Sequence, residues 1–169
     1  MILETERLIL RKMEQNDFDA LCAIMQDEET MYAYVTPYRD DEVQGWLERQ
    51  LARYETLGYG LWAVILKESG KMIGQCGLTM QPWLDTEVLE IGYLFNRAFW
   101  HHGYATEAAI ACKQYAFNVL NADEVCSIIM DTNFASQNVA IRNGMTLQDS
   151  SLKNFRGKDM RLFRYVVRR

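Results

Sequence analysis

The sequence predicts a mixed α/β (α+β) fold, one sheet with helices packed on its faces. Apolar residues recur at helical spacing in some stretches and at strand spacing in others, in the order β-α-α-β-β-β-α-β-α-β. The 169 residues are 49% hydrophobic and include only two prolines, with no Gly/Ser-rich linker, repeat or low-complexity tract. That reads as a single domain over 1–169, with core enough to fold without metal or disulfide staples.

The elements follow in order. "RLILRKM" reads as the first strand. In "NDFDALCAIMQDEE", Asn16 is the expected N-cap, and Phe18, Leu21, Cys22 and Met25 form a helical stripe. After "TPY", Val43, Trp46, Leu47, Leu51 and Tyr54 share a face of a helix over 41–57, which Gly58 stops. "LWAVILK", the turn "ESGK" and "MIGQCGLTM" read as a hairpin, and a loop at Pro82 leads to the strand "EVLEIGYLFN". Ala105, Ala108, Cys112, Tyr115 and Val119 mark a helix from 105 to 120. "EVCSIIM" is a buried-strand pattern, "ASQNVAIRNG" a short helix ended by Gly144, and "MRLFRYVV" the closing strand. "MTLQD" is a candidate for one further strand.

Composition narrows the function classes. The net charge is −5 and the pI near 5.1, against the basic footprint of a nucleic-acid binder. No apolar run approaches the ~20 residues of a membrane span, and "MILETERLILRK" is unlike a signal peptide. The expected address is cytoplasmic, with no membrane partner. Cys22, Cys76, Cys112 and Cys126 stand apart without a CxxC pair, in apolar surroundings that predict buried free thiols.

The stretch "FWHHGYATEAA" holds both histidines, His101 and His102. Adjacent side chains diverge, and no ligand stands at metal spacing, so no metal site is predicted. No GxSxG elbow surrounds a serine, and P-loop and GxGxxG fingerprints are absent. Two readings of the loop stand. In one, Gly103, Tyr104, Ala105 and Thr106 open a helix whose free N–H groups hold an anion, with Gly103 giving freedom in φ and the histidines flanking. In the other, it is an ordinary turn before a capped helix.

The wider constellation "TERLILR", "IGQCGL", "EIGYLF", "WHHGYATEA" and "NFASQNVAIRNGM" resembles the GNAT acetyltransferase superfamily, in its ribosomal-protein N-terminal acetyltransferase (RimJ/RimL-like) branch. "WHHGYA" matches the family's Q/R-x-x-G-x-G/A loop, except that Trp100 stands at the Q/R position. The resemblance implies the GNAT fold, a mostly antiparallel sheet with a splayed parallel pair that holds coenzyme A. Acetyl-CoA is then the cosubstrate, its pyrophosphate on the loop His101–Thr106 and its pantetheine along the backbone at Tyr93, Leu94 and Phe95, like an added strand. Asn133 matches the family's pantetheine-binding asparagine and Ser136 the serine near the thioester sulfur; each can also serve as an N-cap. The implied protein is a monomer or homodimer.

Acetyl transfer to an amine needs a neutral amine, a stabilised oxyanion and departure of a thiolate. Backbone N–H groups of the splayed strand suit the oxyanion. Glu90 is the expected base, directly or through a water; Tyr93, Glu87, Asp85 and His102 are alternatives. Many relatives carry a tyrosine acid four residues before the glycine of "RNGM", where this chain has Ala140. Ser136 can protonate the sulfur or hold a water that does; with a thiol pKa of ~8.5 a strong acid is not compulsory. An α-amine is about a tenth neutral at pH 7 and lysine far less, so a site without a strong base favours a peptide or protein N-terminus. Small amines and a non-catalytic acyl-CoA sensor are the alternatives. The segments Thr36–Arg39 and Asn154–Lys158 are expected to face the acceptor.

Overall fold

The computed structural model describes residues 1–169. Its eight-stranded sheet has the order β1-β2-β3-β4-β5-β6-β8-β7. The strands are β1 (Leu3–Glu4), β2 (Leu8–Arg11), β3 (Leu61–Leu66), β4 (Met72–Trp83), β5 (Thr86–Phe95), β6 (Glu124–Met130), β7 (Thr146–Phe155) and β8 (Lys158–Arg168). All neighbours are antiparallel except β5 and β6, which are parallel. The helices are α1 (Phe18–Met25), α2 (Asp40–Thr56), α3 (Tyr104–Asn118) and α4 (Phe134–Arg142).

Consecutive residues of β4 show which helix covers which face. Gln75 accepts a hydrogen bond from Trp46 Nε1 of α2, while the Sγ of its neighbour Cys76 lies 3.6 Å from that of Cys112 on α3. Side chains alternate across a strand, so α2 and α3 pack on opposite faces. Beneath α3 the sheet meets Ala108, Ala109, Cys112 and Ala116, all buried, and these small side chains let the helix lie close. The expected stripe was turned by one residue, since Val119 falls past the helix end and is exposed.

Other differences have local causes. Asp17, not Asn16, precedes α1, after a short 3-10 turn. Its carboxylate accepts from Glu14 N–H and pairs with Arg11 at 2.8 Å. Ile24 rather than Cys22 completes the buried face of α1; Cys22 is half-buried and the other three thiols are buried and free. In α2 the fully buried position beside Val43, Leu47 and Tyr54 is Gln50, whose Oε1 accepts from Leu61 N–H and Arg53. Pro82 lies inside β4, opposite Glu87. There β4 has outrun β3, and the ring nitrogen faces a side with no partner strand, where no donor is needed. "MTLQD" does begin a strand, and β7 runs to Phe155. It is an edge strand, mostly exposed, so its polar residues give no core-facing alternation.

Candidate active site

The sheet opens between its two parallel strands. β5 and β6 share one register pair, Glu90 with Cys126, and beyond it Ser127 Oγ donates to Ile91 O at 2.8 Å in place of a ladder bond. The β4–β5 register is unbroken from Trp83–Thr86 to Gly74–Phe95, and Asn96 N–H donates to Ile73 O. Antiparallel pairs alternate between bonded and non-bonded, so the even-numbered residues of β5 bond β4. The odd ones, Ile91, Tyr93 and Phe95, turn their backbone groups toward β6. Ser127 occupies the carbonyl of Ile91 and Trp100 Nε1 that of Phe95. Tyr93, between them, presents its backbone to the gap.

Two cavities meet at this fork. The first, about 150 Å³, lies between β5 and the β6–α4 segment and is lined by Ser127, Met130, Asn133 and Ser136 among others. The second, about 280 Å³, lies under α2, with Trp46, Arg49 and Arg53 above Gln75, Thr79 and Gln81. Tyr34, Glu90, Gly92, Tyr93 and Leu94 wall both.

Glu90 is the only carboxylate on that shared wall. One oxygen accepts from Ile128 N–H and the other from Thr79 Oγ1, each at 3.3 Å. Burial pushes its pKa up, and those two bonds with the charges of Lys153 and Arg53 offset only part of the shift. Of the alternatives for a base, only Tyr93 shares that wall. Asp85 and Glu87 are exposed near the turn of the β4–β5 hairpin, and Glu87 has the strand parity opposite to Glu90. Tyr93 Oη donates to Ser136 O at 2.8 Å, and burial raises its pKa, so it stays a neutral phenol.

Ser136 and Asn133 both reach the first cavity. Asn133 Oδ1 caps α4 by accepting from Ser136 N–H at 3.1 Å, which leaves its Nδ2 for the cavity. Capping and ligand binding are thus compatible at this residue. Ala140 is buried in the core, so no side chain enters the site from that turn of α4. A phenol comes instead from Tyr34, which no sequence signal marked. Burial first, and then the nearby charge of Glu90, raise its pKa. The next residue, Val35, has φ of 74°, a costly value for a β-branched side chain and typical of functional turns.

The histidine loop is braced from below. His101 (φ 64°) and Gly103 (φ 79°) are both left-handed, and such conformations turn successive N–H groups to one side, as in anion-binding nests. Glu107 N–H makes the first bond of α3, to Gly103 O; the N–H groups of Tyr104, Ala105 and Thr106 before it have no helical acceptor. His102 Nδ1 donates to Trp100 O at 2.7 Å and its ring stacks on Tyr104. Arg7 donates to His102 O, lies over Tyr104 and pairs with Glu107 at 2.7 Å. Burial would raise the Glu107 pKa, but bonds from Thr5, Arg7 N–H and the Arg7 guanidinium outweigh it and hold the carboxyl below its ordinary value. Glu107→Ala is expected to cost about 1–3 kcal/mol by leaving those donors unpaired, measurable by denaturant unfolding. A depressed carboxyl stabilises above its unfolded pKa and ceases to as pH falls through the folded one. The gap between wild type and variant should therefore close below about pH 4.

Phe95 is buried in the core and lines neither cavity, so only its backbone belongs to the fork. The segments Thr36–Arg39 and Asn154–Lys158 do not line the second cavity either. They latch to each other, with Arg156 bonded to Thr36, paired with Glu42 at 2.6 Å and lying over Tyr38. The wall of the second cavity comes from α2 and β4, through Arg49, Arg53 and Gln75.

A forked parallel pair that leads from a helix start to a half-buried carboxylate is the architecture of an acyltransferase. A profile of the acetyltransferase (GNAT) domain matches residues 7–146. The uncharacterized N-acetyltransferase p20 of Bacillus licheniformis is 35% identical over 89% of this chain and 84% of its own length. The crystal structure of an acetyltransferase from Agrobacterium tumefaciens is 32% identical, covers 96% of this chain and 92% of its own, and superposes with a TM-score of 0.80. RimL, a ribosomal L7/L12 α-N-protein acetyltransferase solved in complex with coenzyme A, shares the fold at 16% identity, over 99% of this chain and 97% of its own, with a TM-score of 0.81. The chain belongs to the GNAT acetyltransferase family, and it is an N-acetyltransferase.

Proposed function

We propose that residues 1–169 act as one catalytic domain that transfers the acetyl group of acetyl-CoA to the α-amine of a peptide or protein N-terminus. The observation that carries this is Glu90, a carboxylate on the wall common to both cavities, where a group delivered from one side meets an acceptor from the other. Acetyl-CoA supplies an activated acetyl thioester. The N–H groups of Tyr104, Ala105 and Thr106 and the left-handed turn at Gly103 fit its pyrophosphate. The open backbone of Tyr93, with the Asn133 amide opposite, fits an extended pantetheine. RimL, whose fold the chain shares, acts on a protein α-amine, in line with the branch that the motifs resemble.

Glu90 takes the proton of the attacking amine. An ordinary glutamate is a weak base at neutral pH, and burial makes Glu90 a better one. Tyr34 and Ser136 supply hydroxyls that can donate to the leaving sulfur, in place of the tyrosine that Ala140 replaces. An α-amine, with a pKa of ~7.7–8.0, needs less help from such a base than lysine at ~10.4.

The test offers acetyl-CoA with three pools: peptides with free N-termini, the same peptides N-blocked but carrying lysine, and polyamines with aminoglycosides. Mass spectrometry is expected to find acetyl groups in the first pool, at a rate that rises with pH to about 8. Acetylation confined to the third pool would overturn the peptide reading.

A further inference from the structure

The cavity under α2 has two charged ends. Glu90 stands at the fork, and Arg49 and Arg53, one helical turn apart, stand on α2. Neither arginine pairs with a carboxylate, although Arg7, Arg11, Arg156 and Arg164 all do. Arg53 is half-buried, and its one side-chain bond is donated to the neutral amide oxygen of Gln50 at 3.1 Å. Arg49 lies over the Trp46 ring at the cavity's rim. An arginine left without a counter-ion beside a cavity, in a chain of net charge −5, is poorly explained by packing alone.

Gln75 gives an independent sign. It is completely buried and lines the same cavity. Trp46 Nε1 is a donor only, so the 2.8 Å contact fixes Gln75 Oε1 toward the indole and turns Nε2 away from it. That Nε2 has no partner, and a buried donor without an acceptor is unfavourable. Gln75, Arg49 and Arg53 are all donors, and what they lack is an anionic oxygen. The cavity, about 280 Å³, is at the small end for ligand sites and suits one residue rather than a polyamine chain or an oligosaccharide.

We propose that this cavity is a subsite for a carboxylate carried by the acceptor, so that the preferred substrate is an α-amine with an acidic group on the same residue. The amine lies at Glu90 and the carboxylate at Arg53, with Arg49 at the rim and the Gln75 amide completing the donor set. Arg53 and Glu90 line one cavity of about 280 Å³, small enough for a ligand one residue long to span the two. Peptides beginning with Asp or Glu, and the free acidic amino acids, share this chemistry. The inference deepens the α-amine reading above and rests on it.

The experiment compares peptides identical except for Asp or Asn, and Glu or Gln, at the first residue, together with free aspartate and glutamate. For wild type, the acidic peptide should have a KM at least about tenfold below its amide twin, a preference that shrinks with added salt. Arg53→Met should bring that ratio to about one and Arg53→Lys should restore part of it, since lysine keeps the charge but not the fork. Free acidic amino acids acetylated without the peptides would uphold this subsite and overturn the peptide reading. Acid and amide peptides acetylated alike would overturn the subsite and uphold the peptide reading. If only uncharged or cationic amines react, the subsite is wrong. If no acceptor reacts, ligand-observed NMR with the Asp peptide decides, and failure to bind wild type more tightly than Arg53→Met overturns the proposal.

Discussion

Glu90→Gln is expected to lower turnover by roughly 10²-fold or more, the usual worth of a general base, with acetyl-CoA affinity retained. Glutamine keeps an acceptor oxygen for Ile128 N–H and can turn its NH2 to the Thr79 hydroxyl oxygen, but it cannot take a proton. Because burial raises the Glu90 pKa, the folded protein prefers this group protonated. By linkage, the charged form destabilises the fold increasingly as pH rises from the ordinary glutamate pKa of ~4.3 to the folded value, and by a constant amount above it. The variant should therefore melt no lower than wild type at neutral pH, which separates lost chemistry from lost fold. The acid limb of the wild-type rate should lie above the ordinary carboxylate range and vanish in the variant. Equal turnover of the two proteins from pH 6 to 9 would place the base elsewhere.

Gly103→Asp is expected to abolish acetyl-CoA binding, with calorimetry as the measurement. Two penalties act together. At φ of 79° any L side chain is strained, and an aspartate adds negative charge at the positive end of α3, beside the place of a pyrophosphate. Room is not the obstacle: an added Cβ would meet only Arg7 Nη2, at 3.6 Å. Gly103→Ala, which carries the backbone strain without the charge, should fall between wild type and Gly103→Asp. Unchanged affinity in the aspartate variant would remove the loop from the binding site.

The parts of this fold that the sequence made legible are those where burial is one-sided or complete. β6 runs over the residues of "EVCSIIM" because its middle, Val125 to Ser127, is buried on both faces, and Gly58 and Gly144 end α2 and α4 in left-handed turns. β7 was legible only at its start, because an exposed edge strand answers to its neighbour's backbone and hardly to a core. The residues proposed for the cofactor lie in contiguous motifs, each a loop or strand that would present its own backbone to the ligand. Those proposed for the acceptor do not. Tyr34, Arg53 and Gln75 come from a turn, a helix and a strand, and only the packing of α2 over β4 brings them together. Read along α2, Arg49 and Arg53 resemble any solvated face, and the orphaned amide of Gln75 exists only once Trp46 has claimed its oxygen.

Five residues line both cavities, so the two chambers are immediate neighbours. A single inhibitor should exploit that adjacency. Coenzyme A joined through its sulfur and a two-carbon acyl bridge to the amine of an acidic dipeptide would fill both chambers without crossing bulk solvent. The second half would then bind at an effective concentration set by the bridge, and the conjugate should exceed either half alone by roughly 10²–10⁴-fold. Lengthening the bridge by a few methylenes should erode that gain, because effective concentration falls once the linker exceeds the span between the sites.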